Sequence, residues 1–403
     1  MNETTLHVRS GGSEDSPDAA SRKRIAIVGG GLAGLSAGVM LVEDGRWDVT
    51  IFERRPFFGG RAAGNPIIGE HCPRLMLRDY TATRDLLGRI PGVYGNPSVS
   101  EALTRVRRMD WGPRGQWIEL DHINRLRASG LTLRDQFAMY RQARKRPSVA
   151  EEYGPNQNVF GRWRQFSLRS LVEIFRNTWQ ADQVFAFPGS TNTFLVEPMI
   201  DHLKAHDVEL FPSSRVTRLM VGEDSEGVGD QAFDAVVLAL FPSDLAGLLD
   251  LSGIRHKLRT SLRHAQCKVL TIAVDSREVV LEGARPLLFC RAGLAILVQP
   301  WESRCIVLCT RAASTDDDYV LRLVREFLSL EYDFGPVAVR ANQSPGEAVW
   351  SATMPKPSSV LPNRPRGVYL AGSWLASGYP YDSAESAIRS ARIAVDASCH
   401  ELF

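Results

Sequence analysis

The chain has 403 residues, 44% of them hydrophobic and 23% charged, and its 48 basic and 46 acidic side chains leave a net charge of +2. This balance excludes a chain disordered throughout, and the near-neutral total gives no global drive toward nucleic acid or anionic membrane. At about 150 residues per domain, the length sets an expectation of two or three domains. Only six basic residues are Lys (Lys23, Lys145, Lys204, Lys257, Lys268, Lys356), so the setting of each one is informative.

Residues 1–23 are polar, rich in Ser, Gly, Asp and Glu, and carry no apolar run. The expectation is a disordered tail, with neither a signal peptide nor a membrane span. No later stretch offers about 18 uninterrupted apolar residues. The six Cys (Cys72, Cys267, Cys290, Cys305, Cys309, Cys399) lack secretory or zinc spacing, which fits a reducing cytoplasm.

A dinucleotide signature starts at Arg24. Ile25 to Val28 form a short buried-type strand, and Gly29, Gly31 and Gly34 fit G-x-G-x-x-G. The first glycine permits a tight turn, the second lets the backbone approach a pyrophosphate, and the third lets the helix pack on the strand. The helix then opens at Leu32 and Ala33, where unpaired N–H groups favour phosphate. A second strand, Trp47 to Phe52, ends in Glu53, a carboxylate placed to bind the adenosine ribose hydroxyls. Glu53 repels a 2′-phosphate, so NADP is disfavoured. Arg54 follows, and Gly59, Gly60 and Arg61 make a second small-residue turn with a fixed cation.

Further along, residues 101–170 hold fourteen Arg or Lys against seven Asp or Glu. Thr132 to Asp135 read as a capping box. The helix after it sets Leu133, Phe137 and Tyr140 on one side and Arg134, Arg141 and Lys145 elsewhere. Such a basic amphipathic helix suits a solvated face, an anionic substrate group or a peripheral contact with an anionic membrane. Gly189 to Thr191 then precede a helix and a strand, after which comes Val216, and Asp234 to Leu240 read as a buried strand. His202 and His206 have i, i+4 spacing but no further ligand, so they read as solvent-facing. Near the C-terminus, Val368 to Ala371 read as a strand, Gly372 as a turn and Ser383 to Ala397 as a helix. Hydrolase-elbow, Walker and H-E-x-x-H motifs are not found, and no metal site is expected.

Together, these blocks resemble the FAD-binding segments of the amine oxidase, phytoene desaturase and protoporphyrinogen oxidase superfamily, including its squalene-associated desaturases. The resemblance covers three separated blocks, roughly half the chain. It implies an α/β fold. A discontinuous Rossmann-type FAD-binding domain would use residues 24–85, 186–245 and 360–403, and an α+β substrate domain 86–185 and 246–359. It implies that Val216 holds adenine through its backbone. It also implies that Gly372, Ser373, Glu385 and Ser386 close the flavin site, that His71 lies near the flavin, and that Lys268 stands near its N5. Trp374, Tyr379 and Tyr381 would wall the substrate. One departure stands out: Ser373 replaces an acid that relatives use on the ribityl chain. Losing a charge-assisted hydrogen bond costs about 1.5–3 kcal/mol, roughly ten- to a hundredfold in affinity.

The leading expectation is an FAD-dependent oxidoreductase, an oxidase or desaturase. It would take a hydride from a C–H beside an amine or at an allylic position of a small biosynthetic intermediate, hydrophobic or anionic. Electrons would pass to oxygen or another acceptor. Gly378-Tyr379-Pro380 keeps open a reductive dehydroxylase of an isoprenoid alcohol, and Ser373 a non-redox isomerase or cyclase.

Overall fold

The computed structural model describes residues 2–9, 22–64, 75–111, 117–119, 184–222, 232–258, 354–379 and 382–403, Arg322, and the strand backbones between 264 and 351. The first element is a strand, β1 (Asn2–Val8), which corrects the expectation of a disordered tail over this segment. Leu6 and Val8 are buried in one cluster with Phe52, Leu219 and Phe233. Burying two such side chains contributes about 1.5–3 kcal/mol each, enough to hold a short strand.

A strand–turn–helix–strand unit follows: β2 (Lys23–Val28), α1 (Leu32–Asp44) and β3 (Trp47–Phe52). Side chains of β2 alternate between two cores. Ile25 and Ile27 pack with Leu35, Val39 and Leu203, whereas Ala26 and Val28 pack with Leu245, Leu249 and Leu370. Burial on both faces is what a parallel sheet covered on each side requires.

After β4 (Met76–Leu77) and α2 (Thr81–Leu87) come β5 (Thr104–Arg105), β6 (Arg107–Trp111), β7 (Trp117–Glu119) and β8 (Val184–Ala186). A π-helical turn over Asn192–Val196 runs into α3 (Glu197–Ala205). Then follow β9 (Glu209–Phe211), β10 (Ser214–Val221), β11 (Ala232–Phe233), β12 (Ala235–Leu238) and α4 (Pro242–Leu251). The next strands are β13 (His264–Gln266), β14 (Lys268–Val274), β15 (Leu287–Arg291), β16 (Leu294–Trp301), β17 (Arg304–Arg311), β18 (Val337–Asn342) and β19 (Val349–Ser351). The chain returns through α5 (Pro357–Val360), β20 (Val368–Leu370) and α6 (Ala384–Leu402).

The central sheet has five parallel strands in the order β20–β12–β2–β3–β9. All three sequence blocks therefore meet in one sheet. β1 lies between β10 and β11, parallel to both, with Thr4 opposite Val216 and a register shift before Thr5. A seven-stranded sheet, β18–β14–β17–β16–β15–β6–β7, is antiparallel except between β15 and β6. Helix α6 starts where expected, because Ser383 and Ser386 exchange side-chain bonds with each other's backbone N–H in a capping box, and it runs past Ala397 to Leu402. No described helix is long and apolar enough to cross a membrane. The expected basic helix with Leu133, Arg134, Phe137, Tyr140, Arg141 and Lys145 lies outside the described residues.

Candidate dinucleotide site

A cavity of about 540 Å³ opens at the carboxyl ends of the central strands, against Val28, Phe52, Ala239 and Gly372. Ligands of open parallel sheets bind at this edge. One wall is backbone. Gly29, Gly31, Leu32 and Ala33 line it, and Gly31 is the N-cap of α1 with no side chain capping it. The first-turn amides of such a helix need an outside acceptor, and an anion serves. Gly34 sits so close to the preceding turn that a Cβ there would lie 1.9 Å from the Gly29 carbonyl oxygen. The two glycine turns are locked together, with Gly59 N donating to Gly30 O at 2.7 Å and a bridge between Gly31 and Gly59. Gly60 has φ +55°, and a Cβ on it would lie 2.9 Å from Gly31 Cα.

Glu53 lines the cavity at the end of β3 and is buried. Its Oε2 accepts from Gly30 N at 2.8 Å and its Oε1 from Arg55 N at 2.9 Å, so the carboxylate is held by backbone. Arg54 is tied to Asp244 of α4 at 2.7 Å. Burial pushes the pKa of the neighbouring Arg55 down, against the opposing field of Glu53. Val216 lines the same end from β10.

A second stretch of the lining is made of side chains. Arg61 Nη1 donates to Asp382 Oδ2 at 3.2 Å and Nη2 to Asp382 Oδ1 at 3.0 Å, while Nη2 also donates to Ser373 Oγ. The guanidinium lies over the Phe241 ring, 5.6 Å from its centroid. Trp374 is buried, its Nε1 donating to Leu240 O at 3.0 Å. Sequence reasoning missed Asp382 as a site residue. The signal was an acid standing directly before the Ser383–Ser386 capping box.

Two residues expected to close the flavin site stand back from the cavity, while their neighbours Ser383, Ala384 and Ala387 line it. Glu385 and Ser386 are fully buried but are not among the cavity's lining residues. Glu385 accepts from Ala82 N (3.0 Å), Thr83 N and Thr83 Oγ1 (both 2.8 Å), and pairs with Arg389 Nε at 2.6 Å. It thus caps α2 from outside, where the N-cap residue Tyr80 makes no side-chain cap. Ser386 Oγ donates to the Ser373 carbonyl and so fixes the turn that carries Ser373. Tyr379 does not line the cavity either. It is buried, edge-on to Tyr80 at 5.4 Å, with its hydroxyl donating to Asp79 Oδ2 at 3.1 Å. Burial raises the pKa of Asp79, partly offset by the Tyr379 bond, and its Oδ1 is buried with no hydrogen-bond partner among the described residues. Lys268 is the first residue of β14, opposite Arg311 of β17. His71 and Tyr381 lie outside the described residues. Of the histidine pair, His206 is exposed, whereas His202 is half-buried and its pKa is lowered by that burial.

The residues present fit a dinucleotide: two mutually locked glycine turns that a Cβ would fill, an uncapped helix start, a ribose-side carboxylate and a fixed guanidinium. Residues 27–90 match the family model described as an NAD(P)-binding Rossmann-like domain. The fold is Rossmann-like. Among solved structures, it is similar to an oxidoreductase from Methanosarcina mazei, at 14% identity and a TM-score of 0.55, over 93% of this chain and 100% of that one. A protein from Exiguobacterium sp. 255-15, provisionally described as a protoporphyrinogen oxidase, matches at 13% identity and a TM-score of 0.50, over 94% and 98%. The PF1083 protein from Pyrococcus furiosus matches at 12% identity and a TM-score of 0.50, over 94% and 97%. Identities this low carry the Rossmann-like fold alone. No curated protein matches the sequence.

Proposed function

We propose that this protein is an FAD-dependent oxidoreductase of the oxidase or desaturase type. The observation that carries the reading is the locking of the Gly29–Gly34 turn against the Gly59–Arg61 turn, beside Glu53 and over one cavity. A second, arginine-bearing turn at this place suits a flavin dinucleotide better than a nicotinamide one. The oxidoreductase from Methanosarcina mazei, with its similar fold, supports the enzyme class by analogy.

In this reading, Glu53 accepts the ribose hydroxyls, and the amides at Leu32 and Ala33 meet the pyrophosphate. Arg61 faces its negative charge, and the backbone at Val216 holds the adenine. FAD, when bound, supplies hydride acceptance and delivery of the electron pair to oxygen or another acceptor. We assign proton movement to Lys268, and substrate positioning to Tyr381 and His71. Tyr379, through its bond to Asp79, positions neighbouring groups instead of touching substrate. The substrate class is a small hydrophobic or anionic intermediate with a C–H beside an amine or at an allylic position.

The test is direct. Purified protein, with FAD added, should show visible flavin bands and should be reduced anaerobically by a suitable amine or allylic substrate. NAD titrated in parallel should bind more weakly. Absence of flavin bands after FAD addition, or turnover in which FAD stays oxidised, overturns the proposal. Lys268→Met should slow flavin reduction or reoxidation by about a hundred- to ten-thousandfold, the range for a group that moves protons. Undiminished rates remove Lys268 from the site.

A further inference from the structure

We propose that Asp382 is a positioning residue for the dinucleotide: a carboxylate supplied from just before α6 that fixes the Arg61 guanidinium, in place of an acid at position 373. The inference rests on the FAD-binding reading above. Three side chains from distant parts of the chain converge at this wall. Arg61 comes from the turn over Gly60–Ala62, Ser373 from the turn after β20, and Asp382 from the residue before the α6 N-cap. All three line the cavity.

The Asp382 side chain is 2% exposed and that of Arg61 27%. A carboxylate this deep persists only where its charge is matched. Here the guanidinium matches it, and the positive end of α6 adds to the match. The contact is two-pronged, Nη1 to Oδ2 and Nη2 to Oδ1. A two-pronged contact sets the plane of the guanidinium as well as its place. A swinging cation offers an anionic ligand charge without direction, whereas a clamped one offers both.

Position 373 touches the same cation. Ser373 Oγ accepts from the Nη2 that also donates to Asp382. Its turn is held from behind, with Ser386 Oγ donating to Ser373 O and Gly372 N donating to Ser390 Oγ. A carboxylate at 373 would therefore reach the guanidinium that Asp382 reaches now, and the two positions are alternative sources of one charge.

The experiment uses the full chain, stripped of flavin and titrated with FAD by flavin fluorescence, with thermal unfolding of the apoprotein alongside. Asp382→Asn is expected to weaken FAD binding at least about fivefold, and Ser373→Asp/Asp382→Ser to bind at least about threefold more tightly than Asp382→Asn. A smaller loss in the single variant, or a smaller recovery in the double, overturns the inference. If Asp382→Asn does not fold, the double variant decides alone: folded and FAD-binding supports relocation of the charge, unfolded or non-binding overturns it. A wild-type protein that takes up no FAD fails the proposed function before any variant is compared.

Discussion

The two walls of the cavity are built on different principles. The wall at Gly29–Gly34 and Gly59–Gly60 is shaped by what is missing, since a Cβ on Gly29, Gly34 or Gly60 would strike backbone and one on Gly30 or Gly59 a packed side chain. The wall at Arg61, Ser373 and Asp382 is shaped by charge and hydrogen bonds drawn from three parts of the chain. Steric exclusion is a local constraint and tolerates almost no substitution. A charge network is a distributed constraint, and its members can be exchanged if the sum is kept.

The sharpest way to break this contrast is Gly34→Ala. Its Cβ would lie 1.9 Å from Gly29 O, so a loss of at least about 3 kcal/mol is expected in denaturant titration, or no folded protein at all. Folding within about 1 kcal/mol of wild type would mean that the backbone wall has slack. Deleting residues 2–8 comes next. It removes Leu6 and Val8 from their core, about 3–6 kcal/mol at ordinary burial values, and strips a partner from the strand carrying Val216. A lower melting temperature should therefore accompany weaker FAD binding, and unchanged FAD binding would separate β1 from the site.

Glu385→Ala attacks the side-chain wall from behind. It orphans the Ala82 and Thr83 amides and unpairs Arg389, a cost of about 2–4 kcal/mol. Glu385→Gln should recover part of it, because the amide oxygen still accepts. Equal losses in both variants would point to charge rather than capping. The smallest effect is expected at Asp79. Burial raises its pKa in the fold, so the native state holds its proton longer than the unfolded chain does. Stability from this group is then present at low pH and is lost as pH rises from the ordinary aspartate value through the raised one. Asp79→Asn should flatten that slope in urea titrations across pH, and an unaltered slope would remove Asp79 from the pH dependence.

The same contrast explains what the sequence disclosed. Glycine spacing, the apolar run of β2 and the acid after β3 were legible because each constraint acts within a few dozen residues. The start of α6 was legible from Ser383. The tasks of Asp382 and Glu385 were not, since their partners lie 321 and 302 residues away. Glu385 drew a flavin role by its place in a motif, yet its carboxylate serves α2. Aromatic character alone did not reveal that the Tyr379 ring turns toward Tyr80 and its hydroxyl toward Asp79. β1 was misread because composition averages over a segment, whereas its two buried apolar residues and its place between β10 and β11 are enough to order it.

That strand also sets a timetable. Asn2 pairs with Ser214 and Val8 with Phe233, so this strand, once made, must wait for partners more than 200 residues later in the chain. At about 5–20 residues per second, that is roughly 10–40 s of synthesis with Leu6 and Val8 uncovered. The Val216 side of the cavity thus closes late, and during that interval the nascent chain presents a short unpaired edge to any chaperone within reach.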